Sequence, residues 1–109
     1  MKDKKISKPI KMQVQKLPTG IEGFDDVCRG GLPAARSTLV SGTSGTGKTV
    51  FSLQYLHHGI CNFDEPGIFI TFEESPLDII RNAASFGWDL QKLIDQNKPC
   101  IPPHLLILF

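Results

Sequence analysis

A glycine-rich run of eight residues, 42–49, carries the clearest chemistry in this sequence. It fits the phosphate-binding pattern G-x-x-x-x-G-K-[ST] at every fixed position. Glycines in such a loop let main-chain N–H groups approach an anion closely, because no Cβ stands in the way. The lysine supplies positive charge for the β and γ phosphates, and the threonine offers a hydroxyl oxygen to Mg²⁺. The predicted nucleotide-binding residues are Gly42, Thr43, Ser44, Gly45, Thr46, Gly47, Lys48 and Thr49, with Thr49 also the predicted metal ligand.

Two adjacent glutamates, Glu73 and Glu74, follow a strongly apolar run at residues 68–72. That run predicts a parallel strand buried on both faces. Ligands bind at the carboxyl ends of parallel strands, where the phosphate loop is also expected. A carboxylate there can orient and deprotonate the water that attacks a γ-phosphate. A helix-capping and solubility role is the alternative, since Ser75 and Pro76 make a favourable helix start; spacing alone leaves both open.

The elements that must position these groups follow the order strand, glycine loop, helix, strand. Residues 37–41 are rich in β-formers and predict a short buried strand. Residues 48–61 carry apolar side chains near helical spacing and predict the helix after the loop. Together with the strand at 68–72 they predict a right-handed βαβ unit, hence an α/β fold. Further helices are predicted at residues 76–86 and 89–94.

The two ends of the chain differ from this middle part. Residues 1–15 carry several lysines with little apolar content and predict a disordered basic arm. Residues 21–27 have apolar side chains at three-residue spacing, which predicts a short helix. Residues 99–109 contain three prolines and end on a bare apolar run. That run can pair as an edge strand or, unpaired, promote aggregation.

Composition bounds the class of protein. The chain has 109 residues, 40% of them apolar and 21% charged, with a formal net charge of +1. These values suit one globular domain and not a strong polyanion binder. Its three cysteines form neither a disulfide framework nor a zinc pattern, and no apolar run is long enough to span a membrane. We therefore expect a cytoplasmic protein with no membrane contact. Nucleic acid is not an expected partner, because no aromatic residues interleave the N-terminal lysines.

Four stretches of the sequence together resemble the KaiC family of circadian clock ATPases, in the first of its two RecA-like domains. The stretches are Gly30-Gly31-Leu32-Pro33, residues 36–48, Thr71-Phe72-Glu73-Glu74-Ser75-Pro76 and Ser85-Phe86-Gly87-Trp88-Asp89. The resemblance covers residues 19–98, within a predicted domain portion of residues 16–98. The combination is far more specific than the phosphate loop alone.

The resemblance implies a partial RecA-like P-loop NTPase fold: a parallel sheet with flanking helices, the C-terminal part of the domain missing. It implies ATP and Mg²⁺ as ligands, with Glu73 and Glu74 as proton acceptors in slow ATP hydrolysis. It adds Val50 and Ser85 to the predicted nucleotide contacts. The family is a hexameric ATPase and serine/threonine autokinase, which implies a homohexamer and the clock proteins KaiA and KaiB as partners.

Two departures from the family pattern shape the functional prediction. Residues 99–109 form an atypical tail, which predicts a truncated copy with weak or no turnover, the tail arising from a shifted reading frame. Ala35 stands where relatives often have glycine. Two other functions remain open: a RecA-like DNA-handling ATPase, and a nucleotide-binding fragment without catalysis.

Overall fold

The computed structural model describes residues 14–95 and 105–108 as an α/β arrangement of short strands and helices. Most of the predicted arm at residues 1–15 lies outside the described residues, and so does the predicted tail at 99–109 apart from 105–108. In chain order the elements are β1 (Lys16–Leu17), α1 (Phe24–Val27), β2 (Leu32–Pro33), α2 (Lys48–Phe63), β3 (Gly67–Ile70), α3 (Pro76–Ala84), α4 (Leu90–Asp95) and β4 (Leu105–Leu108).

Helix α2 confirms the helix predicted after the glycine loop and extends it to Phe63. It begins after Gly47, whose φ of 92° lies in the left-handed region that favours glycine. Its buried side chains, Leu53 and Ile60, are spaced seven residues apart and so lie on one face. The phosphate loop is therefore anchored on a helix that packs against the core.

Strands β3 and β4 form a parallel two-stranded sheet, with Gly67 opposite Leu105 and Ile70 opposite Leu108. The apolar run at residues 105–108 thus pairs as an edge strand, which confirms the first of the two alternatives predicted for it. A Cβ at Gly67 would lie 3.1 Å from a methyl carbon of Leu56, so glycine lets β3 approach α2 closely.

The hydrophobic core lies between the helices and one face of this sheet. Inward side chains alternate with outward ones along both strands, as the pleat requires. Phe69 and Ile107 pack against the core from the sheet. Its buried members are Leu53 and Ile60 of α2, Ile79 and Ala83 of α3, Leu90 and Leu93 of α4, and Leu105 of β4.

The first of the two strand predictions is wrong, and the second is confirmed as a parallel strand but not in its length or its burial on both faces. Residues 37–41 form no strand, and Leu39 is 90% exposed. The described strands leave none beside this segment to accept its backbone hydrogen bonds, and β-propensity alone does not hold a strand. The second strand is shorter than predicted, and its outward residues Ile68 and Ile70 are 60% and 58% exposed. It is buried on one face, because the helices cover only that face.

The remaining elements are small. Residues 16–17 and 32–33 pair as an antiparallel ladder that the sequence did not indicate. Helix α1 is shorter than the predicted 21–27, and Phe24 docks edge-to-face on Phe51 with ring centroids 5.2 Å apart. Helices α3 and α4 agree with prediction within two residues at each end. Within the described residues, no helix is long and apolar enough to cross a membrane.

Candidate functional site

The glycine loop folds over the beginning of α2. The hydroxyl of Thr46 donates to the carbonyl of Thr43 at 2.7 Å, which closes the loop on itself. A Cβ at Gly42 would lie 2.6 Å from that Thr46 hydroxyl oxygen, so a larger residue would open the loop. Gly47 enters α2 with a positive φ. The first N–H groups of a helix have no partner within it, and here the loop presents them as an anion site.

Lys48 is the cation of this loop. Its ammonium donates to the carbonyl of Gly42 and to that of Thr43, the latter at 3.3 Å. The charge is therefore held directly over the loop rather than out in solvent. Phosphate oxygens are charged acceptors and form stronger hydrogen bonds with an ammonium than neutral carbonyls do. A bound nucleotide would thus draw Lys48 from these carbonyls to its phosphates.

Glu74 reaches the loop from the end of β3. The hydroxyl of Thr49, in the first turn of α2, donates to a carboxylate oxygen of Glu74 at 3.1 Å. Glu74 is half-buried, whereas Glu73 is exposed. Glu74 therefore contacts the first turn of α2 directly, although no strand of the described residues leads into the loop and the expected placement of loop and glutamates at one edge of a shared sheet is not found.

The oxygens of Thr49 and Glu74 suit a magnesium ion. Mg²⁺ binds hard oxygen ligands and is held in nucleotide sites by one or two side chains plus phosphates and water. The described part of the chain contains no cluster of three or more His, Cys, Asp or Glu that could hold a metal by itself. The donor set fits a metal that arrives with phosphates, and not an all-protein cage.

A cavity of about 580 Å³ lies between the loop, the glutamates and α3. Ligand pockets of about 300–1,000 Å³ are typical for small molecules. The residues that line it are Ser44, Gly45, Thr46, Gly47, Lys48, Thr49, Val50, Leu53, Glu73, Glu74, Ile79, Asn82, Ala83, Phe86 and Trp88. Most of the predicted contacts, including Val50 and both glutamates, therefore meet around one space.

Three predicted contacts lie outside this lining. Gly42 and Thr43 take part through their carbonyls, which hold Lys48. Ser85 caps the C-terminal end of α3, and its hydroxyl donates to the carbonyl of Asn82 at 2.6 Å. The structure does not bring the Ser85 hydroxyl to the described lining, and its role in binding stays a prediction.

Asn82, Phe86 and Trp88 are lining residues that the sequence analysis did not assign to the site. The rings of Phe86 and Trp88 stack with centroids 5.1 Å apart, and the ring of His57 also stacks on Trp88, with centroids 5.7 Å apart. Ile79 and Asn82 lie one turn apart on α3, and Phe86 follows the helix, which ends at Ala84. These residues come to the cavity through tertiary packing, which local sequence pattern does not indicate.

Known proteins resemble this chain over most of its length. A family model described as "ATPase: KaiC" matches residues 17–102. The circadian clock oscillator protein KaiC of Prochlorococcus marinus subsp. pastoris is 98% identical over 98 residues, which is 90% of this chain and 19% of the relative. The proteins of the same name from Thermosynechococcus vestitus and Synechococcus elongatus are 70% and 68% identical, over 79% and 78% of this chain and 17% and 16% of theirs.

The chain spans about a fifth or less of the length of these relatives. The matched region contains the glycine loop, α2, β3 and the glutamate pair, and β4 lies beyond its last residue, 102. The recognised part is thus the α/β portion of a RecA-like domain that carries the glycine loop. With more than half of its residues matched by the family model, the chain belongs to the KaiC ATPase family.

Proposed function

We propose that this chain binds Mg-ATP in the cavity between the phosphate loop and α3. The loop N–H groups and Lys48 would hold the phosphates, and Thr49 with Glu74 would face the metal. One observation carries the proposal: the 3.1 Å contact between the Thr49 hydroxyl and the Glu74 carboxylate, which joins the loop and the strand end in one site. When bound, the metal neutralises phosphate charge and orients the terminal phosphate.

Hydrolysis is the second part of the proposal. Glu73, together with the Glu74 carboxylate oxygen that does not contact Thr49, would accept the proton of the water that attacks the γ-phosphate. We expect weak or no turnover from this chain, because residues 37–41, which lead into the loop, are exposed and outside the sheet. Transition-state stabilisation needs groups held in place before the reaction, and a loop entered by an unsupported segment is poorly held.

The cellular setting is proposed from the relatives alone. They are named as circadian clock oscillator proteins. A homohexamer, the clock proteins KaiA and KaiB as partners, autokinase activity in the whole protein and a cytoplasmic location are carried over as proposals. Ser85 is likewise proposed as a further nucleotide contact.

A thermal melt with and without Mg-ATP tests binding. A ligand that binds only the folded state stabilises it by about 2.7 kcal/mol at a hundredfold excess over its dissociation constant. We expect the unfolding transition to rise with Mg-ATP, and the rise to disappear in Lys48→Met. Lys92→Met, on exposed α4 surface, is the matched control and should keep the rise. A cooperative transition that Mg-ATP does not move would contradict the proposal.

Phosphate release tests the catalytic assignment. Turnover should be far below that of a full-length relative assayed beside it, and replacing both glutamates by glutamine should abolish what remains. Turnover equal to the relative's would refute the expected weakness. Hydrolysis that survives unchanged in the double variant would refute the role of the carboxylates.

A binding function without catalysis is the second candidate, favoured by the exposed segment before the loop. In that case Mg-ATP raises the transition while no phosphate appears, and the glutamate variants still bind. Salt-sensitive binding to single-stranded DNA would instead favour a DNA-handling ATPase, because phosphate-backbone contacts release counterions.

A further inference from the structure

Thr71 stands immediately after β3 and is 8% exposed. Its N–H donates to the carbonyl of Leu108 at 2.9 Å, which continues the pairing of β3 with β4 by one residue. Its hydroxyl does not bond the sheet and instead bonds a residue further along the chain. The sheet therefore fixes the backbone of Thr71, and its side chain remains available to hold the turn that follows.

The Thr71 hydroxyl makes two hydrogen bonds to the backbone of Glu74. It donates to the Glu74 carbonyl at 3.0 Å and accepts from the Glu74 N–H at 3.3 Å. One side-chain oxygen thus holds both polar main-chain atoms of the same residue. This fixes where the Cα of Glu74 stands and in which direction its side chain leaves the backbone.

Burial of side chains contributes little to the conformation of the turn between Thr71 and Glu74. Phe72 is 93% exposed, and Glu73 is exposed as well. The two residues between Thr71 and Glu74 therefore have little burial to define their conformation. The hydroxyl of Thr71 is the link that ties the turn to the sheet, and the carboxylate of Glu74 then reaches Thr49 at 3.1 Å.

We propose that Thr71 is a positioning residue for the metal side of the nucleotide site: its buried hydroxyl sets Glu74 so that the carboxylate and the Thr49 hydroxyl face one ion. Thr71 itself does not line the cavity. The proposal rests on the function proposed above, and it extends that function to a residue outside the described cavity lining. Strand β4 contributes indirectly to this positioning, because the carbonyl of Leu108 accepts a hydrogen bond from the N–H of Thr71.

The test compares two pairs of chains that differ in the hydroxyl. Thr71→Val keeps the shape of the native side chain and loses the hydroxyl, and Thr71→Ala differs from Thr71→Ser in the same way. ATP affinity is measured by calorimetry for each chain in Mg²⁺ and again in EDTA. The ratio of the two affinities reports the metal side of the site, whereas the value in EDTA reports the phosphate loop.

Loss of the hydroxyl should lower the magnesium-dependent gain in affinity by about tenfold, the low end of what removing an outer-shell partner of a metal ligand does. The affinity in EDTA should stay that of the unaltered chain. Thr71→Ser should keep the gain. Thermal melts without ligand check that each variant is folded, and the Ala and Ser pair replaces the Val comparison if Thr71→Val does not unfold cooperatively.

Three outcomes would overturn the positioning role. Folded Thr71→Val and Thr71→Ala chains that keep the full gain would show that the hydroxyl does not act on the metal side. Equal losses in Thr71→Ser and Thr71→Ala would assign the effect to packing. A loss of affinity in EDTA as large as the loss in Mg²⁺ would mean general damage. An unaltered chain that binds ATP in neither condition would instead refute the proposed function, and this inference with it.

Discussion

Ala35 adopts a φ of 56°, in the left-handed region where an L side chain crowds its own backbone. Glycine adopts this conformation without that crowding, so position 35 has a backbone suited to glycine but carries a methyl side chain. Ala35 therefore carries a small backbone strain two residues after β2, in the segment that leads to the glycine loop.

Replacing Ala35 by glycine should therefore stabilise the fold. Relief of the left-handed strain is worth about 1–2 kcal/mol, and the greater freedom of glycine in the unfolded chain removes about 0.4–1 kcal/mol of it. We expect a net gain of about 0.5–1 kcal/mol in the free energy of unfolding, measured by chemical denaturation. Ala34→Gly, at a neighbour without positive φ, is the control and should destabilise. Equal destabilisation by both changes would contradict the strain.

Asp25 holds the segment before α1 together. Its carboxylate accepts hydrogen bonds from the N–H and hydroxyl of Thr19, the latter at 2.6 Å, and from the N–H of Gly20 at 3.0 Å. Thr19 is fully buried. Partial burial raises the pKa of Asp25, but the hydrogen bonds from Thr19 and Gly20 outweigh it and leave the pKa below its usual 3.8.

Asp25→Ala should destabilise the chain by about 1–3 kcal/mol, the cost of leaving buried donors unsatisfied. Since the pKa is lower in the folded state, the contribution of Asp25 is present above pH 3.8 and is lost as pH falls through the folded value. Unfolding of the Ala variant should depend less on pH in that acid range. Asp26→Ala, an exposed neighbour in the same helix, is the control. A pH dependence identical to that of the unaltered chain would remove Asp25 from this role.

Helix α2 and the segment after α3 meet through aromatic rings. His57 stacks on Trp88, which in turn stacks on Phe86 at the edge of the cavity beside the glycine loop. Burial lowers the pKa of His57, and the neighbouring His58 lowers it further. The folded state therefore favours the neutral form of His57, which stacks on Trp88.

The fluorescence of Trp88, the one tryptophan of the chain, should report this contact. The folded pKa lies below 6.5, so the stability that His57 contributes is present above pH 6.5 and is lost as pH falls through the folded value. We expect a fall in emission between about pH 8 and about pH 5, with its midpoint below 6.5, because a charged imidazole beside the indole quenches it. His57→Gln should abolish this fall and His58→Gln should keep it. A fall that persists in His57→Gln would assign it to another group.

At the scale of the molecule, the described residues 14–95 and 105–108 leave one face of the β3–β4 sheet uncovered. Ile68 and Ile70 of β3 and Leu106 and Leu108 of β4 are all exposed on that face. Two-stranded sheets are marginal without further packing partners, and exposed apolar strands promote association. The same strands bury Leu105 almost completely on the other face.

Lysine placed on the two faces of β4 should have opposite consequences. Leu106→Lys should reduce light scattering on concentration or heating while leaving the unfolding transition in place, because the charge stays in water. Leu105→Lys should abolish the transition, since an unpaired charge buried in the core is strongly destabilising. Scattering that Leu106→Lys leaves unchanged would show that the open face does not drive association.

The sequence predicted the features that depend on neighbouring residues. The glycine loop from Gly42 to Lys48 and the helix that follows it were indicated by local pattern, whereas the pairing of residues 105–108 with β3 was only one of two alternatives. The glutamates were placed near the loop by a general property of parallel strands. The contact itself, between Thr49 and Glu74, could not be read from residues 25 positions apart.

Residue types and spacing by themselves predicted a phosphate-binding loop, and they indicated the α/β class and the helices. Only the tertiary structure decided which segments pair, because a strand needs a partner as well as β-forming residues. Residues 37–41 have the composition of a buried strand and remain outside the sheet, whereas residues 105–108 join it. The same reason explains Thr71: its type suits a strand end, but its action on Glu74 exists only once the turn has closed on its hydroxyl.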